Sequence, residues 1–200
     1  MRTCELRSAS AEDLLTQQID FNYNPDATAE EWNSFLDTIL GGENELIDYI
    51  HRGIGYTLNG TQLERVFFFL CGLGMNGKSQ LMAALRRVLG PYALECKPET
   101  FMEKKYTSSG PDEGQASLKG RRLLTATEIK RGQNLDVSLV KRMTGGEPIW
   151  HERKFQRGFS FEPTHTLWLS GNHEPRIKDT TDSIWDRLNK VDFNTRIRAD

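Results

Sequence analysis

Residues 66–79 constrain the fold of this chain more than any other stretch. They begin with a run of six apolar residues, VFFFLC, in which apolar and polar side chains do not alternate. Such a run is typical of a central parallel strand that is covered on both faces. The residues that follow, 72–79, fit the pattern G-x-x-x-x-G-K-S, a loop that surrounds phosphate groups when a strand precedes it and a helix follows. The stretch therefore predicts an α/β fold with a phosphate-binding loop (P-loop).

The residue types of this loop suit a nucleoside triphosphate. Backbone N–H groups approach phosphate oxygens closely only where side chains are absent, as at Gly72 and Gly77. The Lys78 ammonium can then reach the β- and γ-phosphates, and the Ser79 hydroxyl can bind Mg²⁺. Apolar residues recur at helical spacing as far as Gly90-Pro91, so a helix N-terminus is expected to face the phosphates. The candidate ATP-binding residues are Gly72, Gly74, Asn76, Gly77, Lys78, Ser79 and Gln80.

Two further apolar segments predict strands that end in polar side chains. Residues 121–128, RRLLTATE, place Glu128 at the carboxyl end of a short strand. Residues 166–170, TLWLS, are followed by Gly171 and Asn172. Ligands of parallel α/β sheets bind at the carboxyl ends of the strands, so Glu128 and Asn172 are expected near the loop. Glu128 is the candidate acid for Mg²⁺ binding or for activating water.

The segment 149–161 combines cations with aromatic residues. Its sequence, IWHERKFQRGFSF, predicts a basic hairpin, the composition expected of a surface that contacts nucleic acid. A solvated charged face remains the alternative. The candidate DNA-binding residues are Lys141, Arg153, Lys154 and Arg157.

The front of the chain differs from the rest in charge and in pattern. Residues 1–60 carry three Lys or Arg and eleven Asp or Glu, a balance of 3 − 11 = −8, whereas the remainder carries 23 and 17, a balance of +6. Apolar residues at helical spacing from Trp32 to Leu40 and again from Leu46 predict two helices, the second ending near Gly53 or Gly55. We therefore expect a helical subdomain over 1–60 and an ATPase core over 61–200, the part that would meet a polyanion.

The composition and the cysteine spacing limit the class of protein further. No stretch approaches the length of a membrane span, and the N-terminus lacks the apolar core of a secretory signal. Three widely spaced cysteines without a C-x-x-C pair predict neither a disulfide framework nor a zinc site. A cytoplasmic setting is the expectation.

Five pieces in order resemble the superfamily 3 helicases, most closely the helicase part of phage and plasmid primase-helicases. The resemblance extends over essentially the whole chain. The pieces are GLGMNGKS (72–79), RRLLTATE (121–128), KRMTGGEPIWHERKF (141–155), LWLSGN (167–172) and IWDRL (184–188).

The resemblance implies a hexameric AAA+ type P-loop ATPase that moves on single-stranded DNA in phage or plasmid replication, with a primase or primase-polymerase part or partner. It implies ATP and Mg²⁺ as ligands and the host cytoplasm as location. Lys78 would bind phosphate, Ser79 and Glu128 would serve Mg²⁺ and the attacking water, and Asn172 would align that water. Arg187 resembles the arginine finger that completes a neighbouring subunit's site, and Arg176 is its alternative.

The chain departs from the family pattern at two positions. Thr127 stands before Glu128 where many such ATPases have a second acid, which leaves the metal ligation open, and Glu147 follows the double glycine where Asp is common. Two other functions stay open at this point. One is a P-loop kinase, which would need an acceptor pocket. The other is an assembly module that binds nucleotide with little hydrolysis or unwinding.

Overall fold

A central sheet of five parallel strands organises the molecule, in the order β2-β3-β6-β1-β7. The computed structural model describes residues 7–103, 117–151 and 158–197. A separate antiparallel pair, β4 and β5, lies outside this sheet. The strands are β1 (Phe67–Cys71), β2 (Ala93–Glu95), β3 (Leu123–Ile129), β4 (Ile149–His151), β5 (Phe159–Phe161), β6 (Thr166–Gly171) and β7 (Leu188–Asp192).

Strand β1 is buried on both faces, as its unbroken apolar run predicts. It pairs in parallel with β6 on one side and β7 on the other. Phe67 and Phe69 belong to one hydrophobic cluster, whereas Phe68 and Leu70 belong to the other. Because successive side chains of a strand point to opposite faces, a central strand needs apolar residues at every position. The prediction of a central parallel strand is confirmed.

Helices cover both faces of the sheet. Helices α1, α2 and α3 contribute to the cluster that contains Phe68 and Trp168. Helices α4 and α5 contribute to the cluster that contains Phe67 and Phe69. The α-helices are α1 (Glu30–Leu40), α2 (Asn44–Asn59), α3 (Lys78–Leu89), α4 (Val137–Met143) and α5 (Asp182–Trp185), and short 3-10 turns span Ala11–Asp13, Gly90–Tyr92 and Pro98–Phe101.

The predicted end of α2 near Gly53 or Gly55 is wrong, because the helix continues to Asn59. A Cβ at Gly53 would lie 2.7 Å from Cζ of Phe68 and 3.4 Å from the Trp168 ring, so this glycine lets the helix pack tightly onto the sheet. Thr57, one turn later, accepts a hydrogen bond of 3.0 Å from the Trp168 indole N–H. Helices α1 and α2 thus share one core with the sheet, and the division of the chain at residue 60 stays a prediction.

No helix in the described ranges is long and apolar enough to cross a membrane.

Candidate functional site

The loop 72–77 joins the end of β1 to the start of α3 and depends on two glycines. Gly77 has φ +83°, and a Cβ there would lie 2.3 Å from Cγ2 of Ile39. A Cβ at Gly72 would lie 2.4 Å from the carbonyl oxygen of Phe193. Neither position accommodates a side chain, so the backbone path of the loop requires both glycines.

Lys78 is the buried cation of this loop, with 5 % of its surface exposed. Its ammonium donates to the Gly72 carbonyl at 2.6 Å and to Oδ1 of Asn76 at 2.7 Å. Asn76 is fixed in turn, because its Nδ2 donates to the Phe193 carbonyl at 3.2 Å. Burial lowers the pKa of Lys78 because it disfavours the charged form. Both acceptors are neutral, so a bound anion would supply the compensating charge that they do not.

The N-terminus of α3 opens into the same space. The first hydrogen bond within the helix runs from the Leu81 N–H to the Gly77 carbonyl at 2.9 Å, and the helix has no side-chain N-cap. The N–H groups of the first turn, from Lys78 to Gln80, therefore precede the first intrahelical bond. Together with the helix dipole they form a surface that favours anions. The Ser79 side chain is exposed beside them.

Glu128 has a strained backbone at the carboxyl end of β3. Its φ is +64°, a value that few residues other than glycine adopt. The register between β3 and β6 shifts between Ala126 and Ile129, a β-bulge or a similar irregularity in the pairing. Such bulges redirect side chains near functional sites, and the Glu128 side chain is exposed to the cleft described below.

Asn172 directly follows β6, which lies between β3 and β1 in the sheet. Its Oδ1 accepts a long hydrogen bond of 3.4 Å from the Gly74 N–H. The side chain is otherwise exposed. Asn172 therefore bridges the end of one strand and the loop that follows its neighbour.

These groups line one open cleft of about 640 Å³ at the carboxyl edge of the sheet. Of the predicted catalytic and metal-binding residues, Lys78, Ser79, Glu128 and Asn172 all face it. Among the predicted ATP-binding residues, Gly74, Asn76, Gly77 and Gln80 do so as well, whereas Gly72 lines a neighbouring cavity.

Three residues of this cleft with basic side chains, Lys130, Arg131 and His173, were not predicted from the sequence. The two cations directly follow β3 and His173 follows Asn172. Their position after a strand could have predicted them, because residues just beyond the carboxyl end of a parallel strand lie beside the ligand.

Arg187 lies at the opposite edge of the sheet. Its carbonyl accepts from the Phe67 N–H at 2.9 Å, at the amino end of β1. The five residues of β1 separate it from the loop, a distance of about 16 Å at 3.3 Å per residue. Its guanidinium donates to the Ser183 carbonyl. Arg187 therefore does not reach its own chain's cleft. The alternative, Arg176, is exposed and pairs through its backbone with Gln133 and Leu135.

Lys141, predicted to bind DNA, forms an ion pair in the structure. Its ammonium lies 2.6 Å from Oδ2 of Asp179 and 3.3 Å from the Thr181 hydroxyl. The other three predicted DNA-binding residues, Arg153, Lys154 and Arg157, lie outside the described residues.

The cleft fits Mg²⁺ together with a phosphate group. A hydroxyl from Ser79 and a carboxylate from Glu128 are oxygen ligands of the kind that Mg²⁺ binds. Among the described residues that line the cleft, Glu128 is the only acid, because Thr127 occupies the preceding position. Phosphate oxygens and water would have to complete the coordination.

Comparison with protein families identifies one whose model covers most of the chain. The model described as "Family of unknown function (DUF5906)" matches residues 70–187. The chain belongs to this family. A second model, "D5 N terminal like", matches residues 1–41. The DUF5906 match includes the glycine-rich loop, β3 with Glu128, and the segment that ends at Arg187.

The curated relatives of this DUF5906 chain are viral proteins, and each is named as a putative helicase or a putative primase. "Putative helicase L207/L206" of Acanthamoeba polyphaga mimivirus is 29 % identical over 94 % of the chain and 20 % of its own length. "Putative helicase 022R" of Frog virus 3 is 25 % identical over 72 % of the chain and 15 % of its length. "Putative primase C962R" of African swine fever virus is 28 % identical over 62 % of the chain and 13 % of its length. The chain thus spans a fifth or less of the length of these relatives. The names of the relatives confirm the predicted relationship to primase-helicases.

Two solved structures share the fold. "The A form apo structure of NrS-1 C terminal region-CTR" matches with a TM-score of 0.60 and 13 % identity, over 88 % of this chain and 42 % of that one. A ligand-bound structure of "JCV Helicase" matches with a TM-score of 0.54 and 13 % identity, over 86 % of this chain and 47 % of that one. At such identities the likeness supports the fold alone.

Proposed function

We propose that this chain is the ATP-hydrolysing motor part of a replication helicase. One observation carries the proposal: Lys78, Ser79, Glu128 and Asn172 come from three neighbouring parallel strands and their following segments, yet they face one cleft at the carboxyl edge. A buried cation, a helix N-terminus, a carboxylate and an amide are the groups that phosphoryl transfer to water requires.

Each residue has a defined task in this proposal. Lys78 and the N–H groups of the first turn of α3 hold the phosphates of ATP and stabilise charge on the γ-phosphate. Glu128 accepts the proton of the attacking water, and Asn172 orients that water between the strand end and the loop. Mg²⁺, held by Ser79 with Glu128 nearby, would neutralise charge on the phosphate oxygens.

The position of Arg187 favours a site shared between subunits. Phosphoryl-transfer enzymes of this kind commonly use an arginine to stabilise the transition state. Arg187 is about 16 Å from the loop of its own chain, by the length of β1. In the proposal it therefore acts on a neighbouring copy, and a closed ring of copies, six by the resemblance to the superfamily 3 helicases, completes the set of sites.

Single-stranded DNA is the proposed track. The relatives named helicase or primase support it, and so does the basic composition of residues 141–158, which carry five Lys or Arg and two Glu, a balance of 5 − 2 = +3. A segment with a net positive charge attracts the phosphate backbone.

The deciding experiment is ATP hydrolysis with Mg²⁺, measured with and without single-stranded DNA over a range of protein concentrations. The K78A variant tests the cleft, and K97A is its matched control because Lys97 is an exposed lysine outside the cleft. We expect wild type and K97A to hydrolyse ATP with a rate per chain that rises with concentration and with DNA, and K78A to lose at least about a hundredfold.

Other results would contradict the proposal in distinct ways. Full activity in K78A would remove the loop from the site. A rate that ignores both DNA and concentration would favour a self-contained ATPase or a kinase. Nucleotide-dependent assembly without turnover, even on DNA, would favour an assembly module.

A further inference from the structure

Two adjacent cations, Lys130 and Arg131, line the cleft with exposed side chains. In the part of the chain that the structure describes, neither of them forms an ion pair with a carboxylate. The described lining of the cleft contains three Lys or Arg and one acid, a balance of 3 − 1 = +2. A concave site with an excess of one charge concentrates ligands of the opposite charge. The two cations therefore favour a ligand that carries more than one negative charge.

The pairing of β3 with β6 sets the position of these cations. Three residues of β3, from Ala126 to Ile129, span the same length as two residues of β6, and Ile129 then pairs with Gly171. The residues that directly follow this pair are Lys130 and Asn172. Lys130 therefore leaves the sheet beside Asn172, on the side of the cleft that β3 and β6 form.

The cations are separated from the glycine-rich loop by the width of the sheet between them. β6 lies between β3 and β1, so the ends of β3 and β1 are two strand spacings apart, about 10 Å. Lys78 and the N–H groups at the start of α3 lie at the end of β1 and bind the nearest phosphates in the proposed function. A phosphate chain that extends from there towards Glu128 and Asn172 brings its last phosphate, and no earlier one, towards the end of β3.

A tight turn fixes the backbone that carries the cations. The Lys130 N–H donates to Oε1 of Gln133 at 3.1 Å, and the Gln133 N–H donates to the Lys130 carbonyl at 3.4 Å. Gly132 occupies this turn with φ +80°. The Gln133 carbonyl also accepts from the Arg176 N–H at 2.8 Å, which ties the turn to the segment after β6. Since this backbone is already ordered, binding a ligand costs less conformational entropy.

We propose that Lys130 and Arg131 bind the terminal phosphate of a nucleoside triphosphate in the cleft of their own chain, and that they make the cleft select a triphosphate over a diphosphate. The proposal rests on the function proposed above and adds its nucleotide specificity. Arg131 presents a planar fork that matches phosphate oxygens, and Lys130 adds a point charge beside it. Arg187, in contrast, would act from a neighbouring copy.

The test compares two fluorescent nucleotides, the N-methylanthraniloyl (mant) derivatives of ADP and of the β,γ-imido analogue of ATP, each titrated with Mg²⁺ against the chain. The variant is K130A/R131A. The matched control is R87A/K97A, which removes the same charge at two exposed cations outside the cleft. We expect K130A/R131A to weaken binding of the triphosphate analogue about 10- to 150-fold, because charge-assisted hydrogen bonds are lost. Its affinity for mant-ADP should fall by no more than about fivefold, the effect of a screened charge.

Two further measurements separate phosphate contacts from other causes. Inorganic tripolyphosphate should displace the analogue from wild type better than pyrophosphate does, and this difference should shrink in K130A/R131A. The base and the sugar have no part in that comparison. The swapped variant K130R/R131K keeps both charges and should retain most of the preference for triphosphate. Urea unfolding of K130A/R131A should match wild type, because both side chains are exposed.

Equal preference for the triphosphate analogue in K130A/R131A and in R87A/K97A would overturn the inference, while ATP hydrolysis by the wild type would still support the motor function. An equal loss for both nucleotides would also overturn it and leave only a general attraction of anions. Unchanged nucleotide binding with weaker binding of single-stranded DNA would overturn it and assign the cations to the polynucleotide. Absence of nucleotide binding by the wild type would overturn the inference and the proposed function together.

Discussion

The two edges of the parallel sheet are built from the same strands but differ in chemistry. At the carboxyl edge, Lys78, Glu128 and Asn172 surround an open cleft. At the amino edge, His165 and Thr166 are 1 % exposed. One edge presents polar groups to an open cleft, and the other encloses them in the fold.

Residues with a positive φ lie near both edges. Glu128 at the carboxyl edge has a positive φ within a bulge, and Gly77 has φ +83° in the loop beyond β1. At the amino edge the chain is joined by regular contacts, such as the hydrogen bond from the Phe67 N–H to the Arg187 carbonyl at 2.9 Å. Arg65, two residues before β1 at the amino edge, also has a positive φ of 52°, so the open cleft rather than the backbone conformation distinguishes the carboxyl edge. Substitutions at the carboxyl edge should therefore act on activity, and those at the amino edge on stability.

The largest expected effect is on hydrolysis at the carboxyl edge. E128Q keeps the size of the side chain but removes its ability to accept a proton, so the turnover rate should fall at least about a hundredfold. Affinity for ATP, measured by titration calorimetry, should change little. E162Q is the control, since Glu162 is an exposed acid outside the cleft. Normal turnover in E128Q would contradict the assignment of Glu128 as the group that accepts the proton of the attacking water.

The next effect concerns both function and folding at the loop. G77A places a Cβ 2.3 Å from Ile39 in a left-handed conformation, so the free energy of unfolding should fall by about 3 kcal/mol. G55A is the matched control, because Gly55 lies inside α2 with no atom within 4 Å of its added Cβ. That variant should gain about 1 kcal/mol in urea unfolding. Equal stability of the two variants would contradict the strain at Gly77.

At the amino edge, we expect a dependence of stability on pH. Burial lowers the pKa of His165 to about 4, with the backbone of Met143 acting in the opposite direction. The unfolded chain takes up a proton near pH 6.5 and the folded chain only near pH 4, so stability is complete above pH 6.5 and falls as the pH decreases. Between pH 7 and pH 5 the loss should be about 2 kcal/mol.

Urea unfolding at these two pH values checks this expectation. H165N removes the titrating group and should reduce the difference between them. H173N should not, because His173 is exposed in the cleft. Identical pH dependence in wild type and H165N would show that the loss has another source.

The smallest expected effect separates strain from chemistry at Glu128. Glycine adopts positive φ without cost, so E128G should be more stable than E128Q by about 1 kcal/mol, although both lack the carboxylate. T127G is the control, since Thr127 lies in the same strand without a positive φ and should lose stability. Urea unfolding of the three variants measures the difference. Higher stability of E128Q than of E128G would contradict backbone strain at residue 128.

Much of the fold was predictable from local pattern. An unbroken apolar run predicted β1, and apolar spacing with Gly90-Pro91 at its end predicted α3, which ends at Leu89. The end of α2 was predicted wrongly because Gly53 meets the rings of Phe68 and Trp168, which are distant in sequence. The sequence does not distinguish a glycine that ends a helix from one that permits close packing, because only the tertiary contact differs between them.

The site was predicted where a motif or the polar end of an apolar strand marked it. The pattern around Lys78 and the strand ends at Glu128 and Asn172 pointed to residues that the fold brings to one cleft. No motif marked Lys130 and Arg131, which line the cleft because they directly follow the carboxyl end of β3. The ion pair between Lys141 and Asp179 joins residues 38 positions apart, and no periodic pattern in the sequence indicates it.

The separation of Arg187 from the loop has a consequence for counting active sites. Under the proposed function, each copy carries the cleft of one site and the arginine of another. An open row of n copies then contains n − 1 complete sites, whereas a closed ring of n copies contains n. In a mixture of K78A and R187A copies, neither of which is active alone, a complete site forms wherever an intact cleft meets an intact arginine. The activity of such mixtures would therefore report how the copies are arranged.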